Sequence, residues 1–160
     1  MKLKTTHEID ASADAVWELM GERFADIGEW SDTVVSSSLD GDLGEGAVRT
    51  CELKPTPAAS GHIQERITKF DRAGRSVAFD IIDGLPGFMR LVNSAWTIEP
   101  MGANKARGVN TLTIKVAWYM VPMLPLIRVQ FAKTIKSFIP QIELAANRPM
   151  RVVESSAMAG

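Results

Sequence analysis

One cysteine, two histidines and a single tyrosine in 160 residues leave little room for several kinds of chemistry. Cys51 has no partner for an internal disulfide, and it has no companion histidine at a spacing that would suggest a nucleophilic thiol. His7 and His62 stand far apart, so the clustered spacings of a zinc site are missing and no metal is expected. Neither charge sign dominates: 18 basic and 19 acidic residues give a formal net charge of −1. Nothing forms the basic stripe that nucleic-acid binding by counterion release requires. Long apolar runs are also absent. The longest, Ala117 to Ile127, is far below the roughly 20 residues of a spanning helix, and Pro122 and Pro125 interrupt it. Residues 1–10 alternate polar and apolar side chains where a signal peptide would carry an apolar block, so a cytoplasmic location is expected.

Three short motifs are excluded by context. Gly41-Asp42-Leu43-Gly44-Glu45-Gly46 is glycine-rich but precedes a strand, whereas a dinucleotide-binding loop follows a strand and opens a helix. The same stretch lacks the twelve-residue spacing of a calcium loop. No Gly-x-Ser-x-Gly elbow occurs. No cofactor is therefore expected.

What is present is a long alternation of periods. Leu3, Thr5, His7 and Ile9 alternate with polar residues, which predicts a strand over 2–9. Ser12 and Asp14 start a short helix whose apolar positions run to Gly21, and Phe24 with Ile27 predicts one more turn before Gly28. Period-2 patterns then predict strands at 33–39, 47–54, 62–71, 75–83, 91–99 and 109–119. After Pro125, residues Ile127, Phe131, Ile135, Phe138 and Ile142 recur at helical steps as far as Ala146, with Pro140 expected to kink the helix. The expected class is α+β: a seven-stranded curved antiparallel sheet gripping one long C-terminal helix, with two short helices between the first and second strands. The domain is expected over 1–147 and a frayed tail over 148–160. A wide sheet around one helix tends to leave an internal gap.

Strand parity nominates side chains for that gap. Ile63, Glu65 and Ile67 share one face, as do Val77, Phe79 and Ile81, and Val92, Ser94, Trp96 and Ile98. Phe79, Ser94, Trp96, Phe131 and Ile135 are expected to line a largely apolar pocket, with Glu65 orienting a ligand. Glu65 is either a pocket carboxylate able to move a proton or a salt-bridge partner of Arg49 or Arg66. His7 is expected to be a hydrogen-bonded core histidine, with a polar handle for ligand as the alternative. The Trp118–Ile127 segment is expected to pack over the pocket mouth. Were it exposed, it would suit a partner or a membrane surface.

The element order, with Val16-Trp17, Gly46-Ala47-Val48-Arg49, Glu65-Arg66-Ile67, Phe70-Asp71 and Trp96-Thr97-Ile98, resembles the START-like helix-grip superfamily. That superfamily includes birch-pollen-allergen-like proteins, plant abscisic-acid receptors and bacterial polyketide cyclases/dehydrases. The resemblance covers about residues 2–146. It implies a pocket for a small hydrophobic molecule between sheet and helix, a flexible lid over Lys54–Gly61, a second mouth loop from Asp83 to Leu91, and a pocket role for Glu65. The receptors' gate and latch motifs are missing, since Met89-Arg90-Leu91 stands where the latch would be, so hormone reception of that kind is not implied. Two functions fit: a carrier of a lipid, polyketide or isoprenoid-like ligand, or a cyclase/aromatase-like enzyme using Glu65 or His7 for proton transfer.

Overall fold

Seven antiparallel strands form one sheet in the order β1-β7-β6-β5-β4-β3-β2, so every pair of neighbours except β1 and β7 is also consecutive in the chain. The computed structural model describes residues 1–55 and 61–148. The expected tail lies almost wholly outside them, as does most of the expected lid.

The strands are β1 (Lys2–Ile9), β2 (Val34–Asp40), β3 (Val48–Leu53), β4 (His62–Asp71), β5 (Ser76–Asp83), β6 (Met89–Gly102) and β7 (Lys105–Val116). Between β1 and β2, helix α1 (Ala13–Trp17) opens with the Ser12 side chain accepting from the Ala15 amide at 3.1 Å, as its sequence predicts. A wider turn at Glu18–Glu22 and a 3-10 turn at Phe24–Glu29 follow. After β7 comes a second 3-10 turn, Trp118–Met123, and then the long helix α2 (Leu124–Ala146), 23 residues that run through Pro140.

The largest departure from the sequence reading is the β6–β7 hairpin. It reaches as far as Gly102 and Lys105, where strands were expected only to Glu99 and from Val109. Charged and polar residues at its tip hid the pairing, because Glu99 and Arg107 face each other on the outer side and carry no apolar alternation. At its other end β7 stops at Val116 rather than Tyr119. Pro122 offers no ladder donor, and the chain turns helical at Trp118.

Inward-facing side chains form rows across the sheet. Val77, Trp96, Asn110 and Thr5 make one row, and Phe79, Ser94, Leu112 and Leu3 the next. α2 covers them unevenly. Its second half buries Ile135, Ile139 and Ile142 against β1, α1 and the Glu18–Glu22 turn. There Val16, Val77 and Ile98 are almost fully sealed, and on the sheet Val92 and Ile114, nearer the start of α2, are sealed as well. Along its first half Ile127 and Phe131 stay half-buried, and so do Ile63, Phe79 and Ile81 on the sheet. The cover that α2 provides is therefore tight at Ile135, Ile139 and Ile142 and partial at Ile127 and Phe131, which is the loose end of the core. Gly84, at φ +87°, turns the chain out of β5 into the mouth loop; a Cβ there would sit 2.0 Å from the His62 carbonyl oxygen, so only glycine fits.

Candidate functional site

A buried ion pair occupies the concave face on the β3–β4 side. Arg49 and Glu65 are directly opposite in register, and each side chain is about 5% exposed. Glu65 Oε2 accepts from Arg49 Nε at 2.7 Å and Nη2 at 2.5 Å, while Cys51 Sγ lies 3.8 Å from the same oxygen. The guanidinium also donates to the Phe24 carbonyl at 2.7 Å and stacks 3.7 Å from the Phe24 ring centroid, with the Phe79 ring at 5.6 Å. Of the two roles read for Glu65, the salt bridge with Arg49 is the one formed; Arg66 points to the exposed side. Arg49 thus holds the Phe24–Glu29 turn onto the sheet through charge, a hydrogen bond and a cation–π contact together. Cys51, buried beside the pair, has its thiol pushed up to about 12 by burial, which keeps it protonated and unreactive.

A second polar group lies on the floor beneath α2, on β1 and β7. Asn110 is completely buried; its amide donates to Ser94 Oγ at 2.9 Å, and its Oδ1 meets no partner among the described residues. Thr5 Oγ1, opposite Asn110, and His7 Nε2, one row further along, are also buried without a partner. Each such atom costs free energy unless something completes its hydrogen bond. His7 was expected to be a satisfied core histidine, and its Nε2 is instead unsatisfied. Gly108 stands opposite it, and Ile139, Lys136 and Glu143 of α2 share its cleft. Thr5 and Asn110 escaped the sequence reading, although Asn110 shares its face with Leu112 and Ile114, and a lone amide in an apolar row was the available signal.

The remaining nominated residues divide between these regions. Phe79 packs tilted on Phe24 at 5.5 Å, beside the ion pair, and Ser94 serves Asn110. Trp96 and Ile135 are buried in the closed core, while Phe131 is half-buried on α2. The structure does not bring Glu65 and His7 together. They sit on β4 and β1, four strand spacings or roughly 19 Å apart along the sheet. A cleft of about 380 Å³ lies between β1 and the second half of α2, lined by His7, Lys136, Ile139, Pro140 and Glu143 among others. Of the nominated residues only His7 reaches it.

Chemically, the two candidates for proton transfer differ. Glu65 spends its carboxylate on Arg49. His7 retains a free ring nitrogen, and burial, reinforced by the Lys136 charge, lowers its pKa below the usual 6.5 and so favours the neutral imidazole. No group of three or more potential metal ligands occurs among the described residues.

Two outcomes follow. Glu65→Leu strands a buried guanidinium and should cost about 3–5 kcal/mol in urea denaturation, whereas the double variant Arg49→Met/Glu65→Leu should recover most of it. A double variant less stable than either single one would contradict this account of the pair. For His7, the folded state prefers the neutral ring, so its contribution to stability is complete above pH about 6.5 and is lost as pH falls through the lowered native value. Melting temperature between pH 7 and pH 5 should therefore fall less steeply in His7→Gln than in the parent; equal slopes would contradict it.

Solved structures of the same architecture put this geometry in context. Norcoclaurine synthase from Thalictrum flavum superposes with a TM-score of 0.74 at 17% identity, over 92% of this chain and 87% of that one. Ara h 8.0201 gives 0.73 at 13% identity over 91% and 97%, and a START superfamily protein from Mycobacterium smegmatis gives 0.70 at 13% over 91% and 96%. At such identities the likeness is one of fold. No curated protein matches by sequence. A family model described as polyketide cyclase/dehydrase and lipid transport matches residues 1–156, nearly the whole sequence. The chain belongs to that family.

Proposed function

We propose that this protein binds a small hydrophobic molecule bearing a hydroxyl or carbonyl group, held between the first half of α2 and the concave face of the sheet. The observation that carries this reading is the uneven seal of the core. Ile127 and Phe131 on the helix, and Ile63, Phe79 and Ile81 on the sheet, are turned inward yet only half-buried, while Ile135, Ile139 and Ile142 further along the same helix are buried. An apolar guest covering those side chains gains about 25 cal/mol for each Å² removed from water.

Polar atoms on the floor would orient such a guest. Asn110 Oδ1 accepts only and Thr5 Oγ1 donates or accepts, so an isolated hydroxyl or carbonyl on an apolar skeleton matches them. The ion pair lies at the other side, where Arg49 presents one face to Phe24. Phe79, Ser94, Phe131 and Glu65 are thus proposed as contacts, with Trp96 and Ile135 forming the wall behind them. Carriage or storage requires nothing more than this arrangement.

Filling the gap from the helix tests the reading. Ala132 is partly buried on the core side of α2, next to Phe131. Ala132→Phe should weaken binding of an apolar fluorescent probe such as anilinonaphthalene sulfonate by about tenfold or more, with the melting temperature unchanged or raised. Probe affinity equal to the parent's would place the binding elsewhere.

A further inference from the structure

Residues 118–129 present apolar side chains outward at the loose end of the core. Trp118 is 85% exposed and Tyr119 55%; Val121, Leu126 and Val129 are each more than half exposed, and Met123 nearly so. The expectation that this segment packs over the pocket mouth is not met. Its inward positions Ile127 and Phe131 are apolar too, so folding of this chain alone does not explain the outward apolar side chains Leu126 and Val129 that stand with Arg128 on the exposed side.

Charge around the patch has one sign. No Asp or Glu occurs anywhere from residue 100 to 142, nor from 84 to 98. Arg128 and Lys133 are exposed on α2 beside Leu126 and Val129, and Lys115 is exposed at the end of β7. Arg90 is exposed on the β6 end that pairs with β7 there, and the Ala117 amide donates to the Phe88 carbonyl at 2.7 Å, fastening the Trp118 segment to the mouth loop. Among the described residues none of these four cations takes part in an ion pair, although Lys105 and Arg107 at the opposite end of the hairpin do.

We infer that this face docks the protein onto an anionic lipid surface, with Trp118, Tyr119, Val121 and Leu126 entering the headgroup boundary and Arg90, Lys115, Arg128 and Lys133 facing its acidic groups. Exposed Trp and Tyr suit that boundary because each couples an apolar ring to a polar edge. Cations flanking an apolar face add the electrostatic attraction that makes such binding selective for acidic lipids. A second copy of the chain is a poor occupant. A two-fold interface would set this face against itself, bringing unpaired cations together with no acidic residue between them. The docking is independent of what fills the core, although it would set the loose end of the core towards the membrane.

The test is co-sedimentation with phosphatidylcholine vesicles, with and without about a third phosphatidylserine, for the parent, Trp118→Ala/Leu126→Ser and Arg128→Glu/Lys133→Glu. All four positions are exposed, so each variant should keep the parent's melting temperature. The parent should bind the serine-containing vesicles at least tenfold more tightly than phosphatidylcholine alone, and should release in roughly 0.5 M salt. Each double variant should lose about tenfold or more. Absence of binding to either vesicle, or binding that both variants retain, would overturn the inference. So would a lipid-free dimer in sedimentation velocity that Trp118→Ala/Leu126→Ser dissolves, since the face would then belong to a second copy.

Discussion

One helix has to cover seven strands. α2 is roughly 10–12 Å across, whereas six strand spacings make a sheet about 29 Å wide. Curling brings the edges of the sheet towards the helix, but a 23-residue rod cannot touch every inward side chain. The chain resolves this by concentrating the seal. Ile135, Ile139 and Ile142 meet α1, β1 and the Glu18–Glu22 turn at one end, and the other end is left with inward residues that are only half covered. The family's association with polyketide chemistry and lipid transport is physically intelligible on this basis.

The loose end cannot be held open by apolar packing alone, because apolar side chains would collapse into it. Arg49 and Glu65 supply a different kind of constraint. A buried charge pair makes no gain from collapse and loses much if either member is separated, so it fixes β3, β4 and the Phe24 turn in one register. Across the sheet, Asn110, Thr5 and His7 leave polar atoms unsatisfied on the floor. A site of this kind is apolar in area and polar at a few points, as pockets for oriented hydrophobic ligands generally are.

Most of the fold was legible in the sequence because most of it is written in short periods. Strands β4 and β5 and the capped start of α1 follow from alternation and from Ser12. The β6–β7 tip was not legible: its outer side carries the exposed charges Glu99 and Arg107, and Pro100, Gly102 and Ala106 interrupt any apolar alternation. The site was legible only in part. Parity alone brought Glu65, Phe79 and Ser94 to the inner face, but which strand lies opposite which is a matter of register. Arg49 stacked on Phe24, and Asn110 facing Thr5, depend on pairings between segments distant in sequence. Likewise, the Trp118–Ile127 segment read as a cover for the pocket mouth because composition does not reveal that the chain turns Trp118, Tyr119, Val121 and Leu126 outward.

The central claim is that the loose end of the core accommodates a hydrophobic guest. Native mass spectrometry of freshly purified protein, repeated after extraction with organic solvent, tests it most directly. A discrete adduct of small-molecule mass that disappears on extraction, and that is reduced in Ala132→Phe, is the predicted result. A spectrum showing only the bare chain, together with no thermal stabilisation by any member of an apolar ligand library, would contradict it and mean that the half-buried side chains close on themselves in solution.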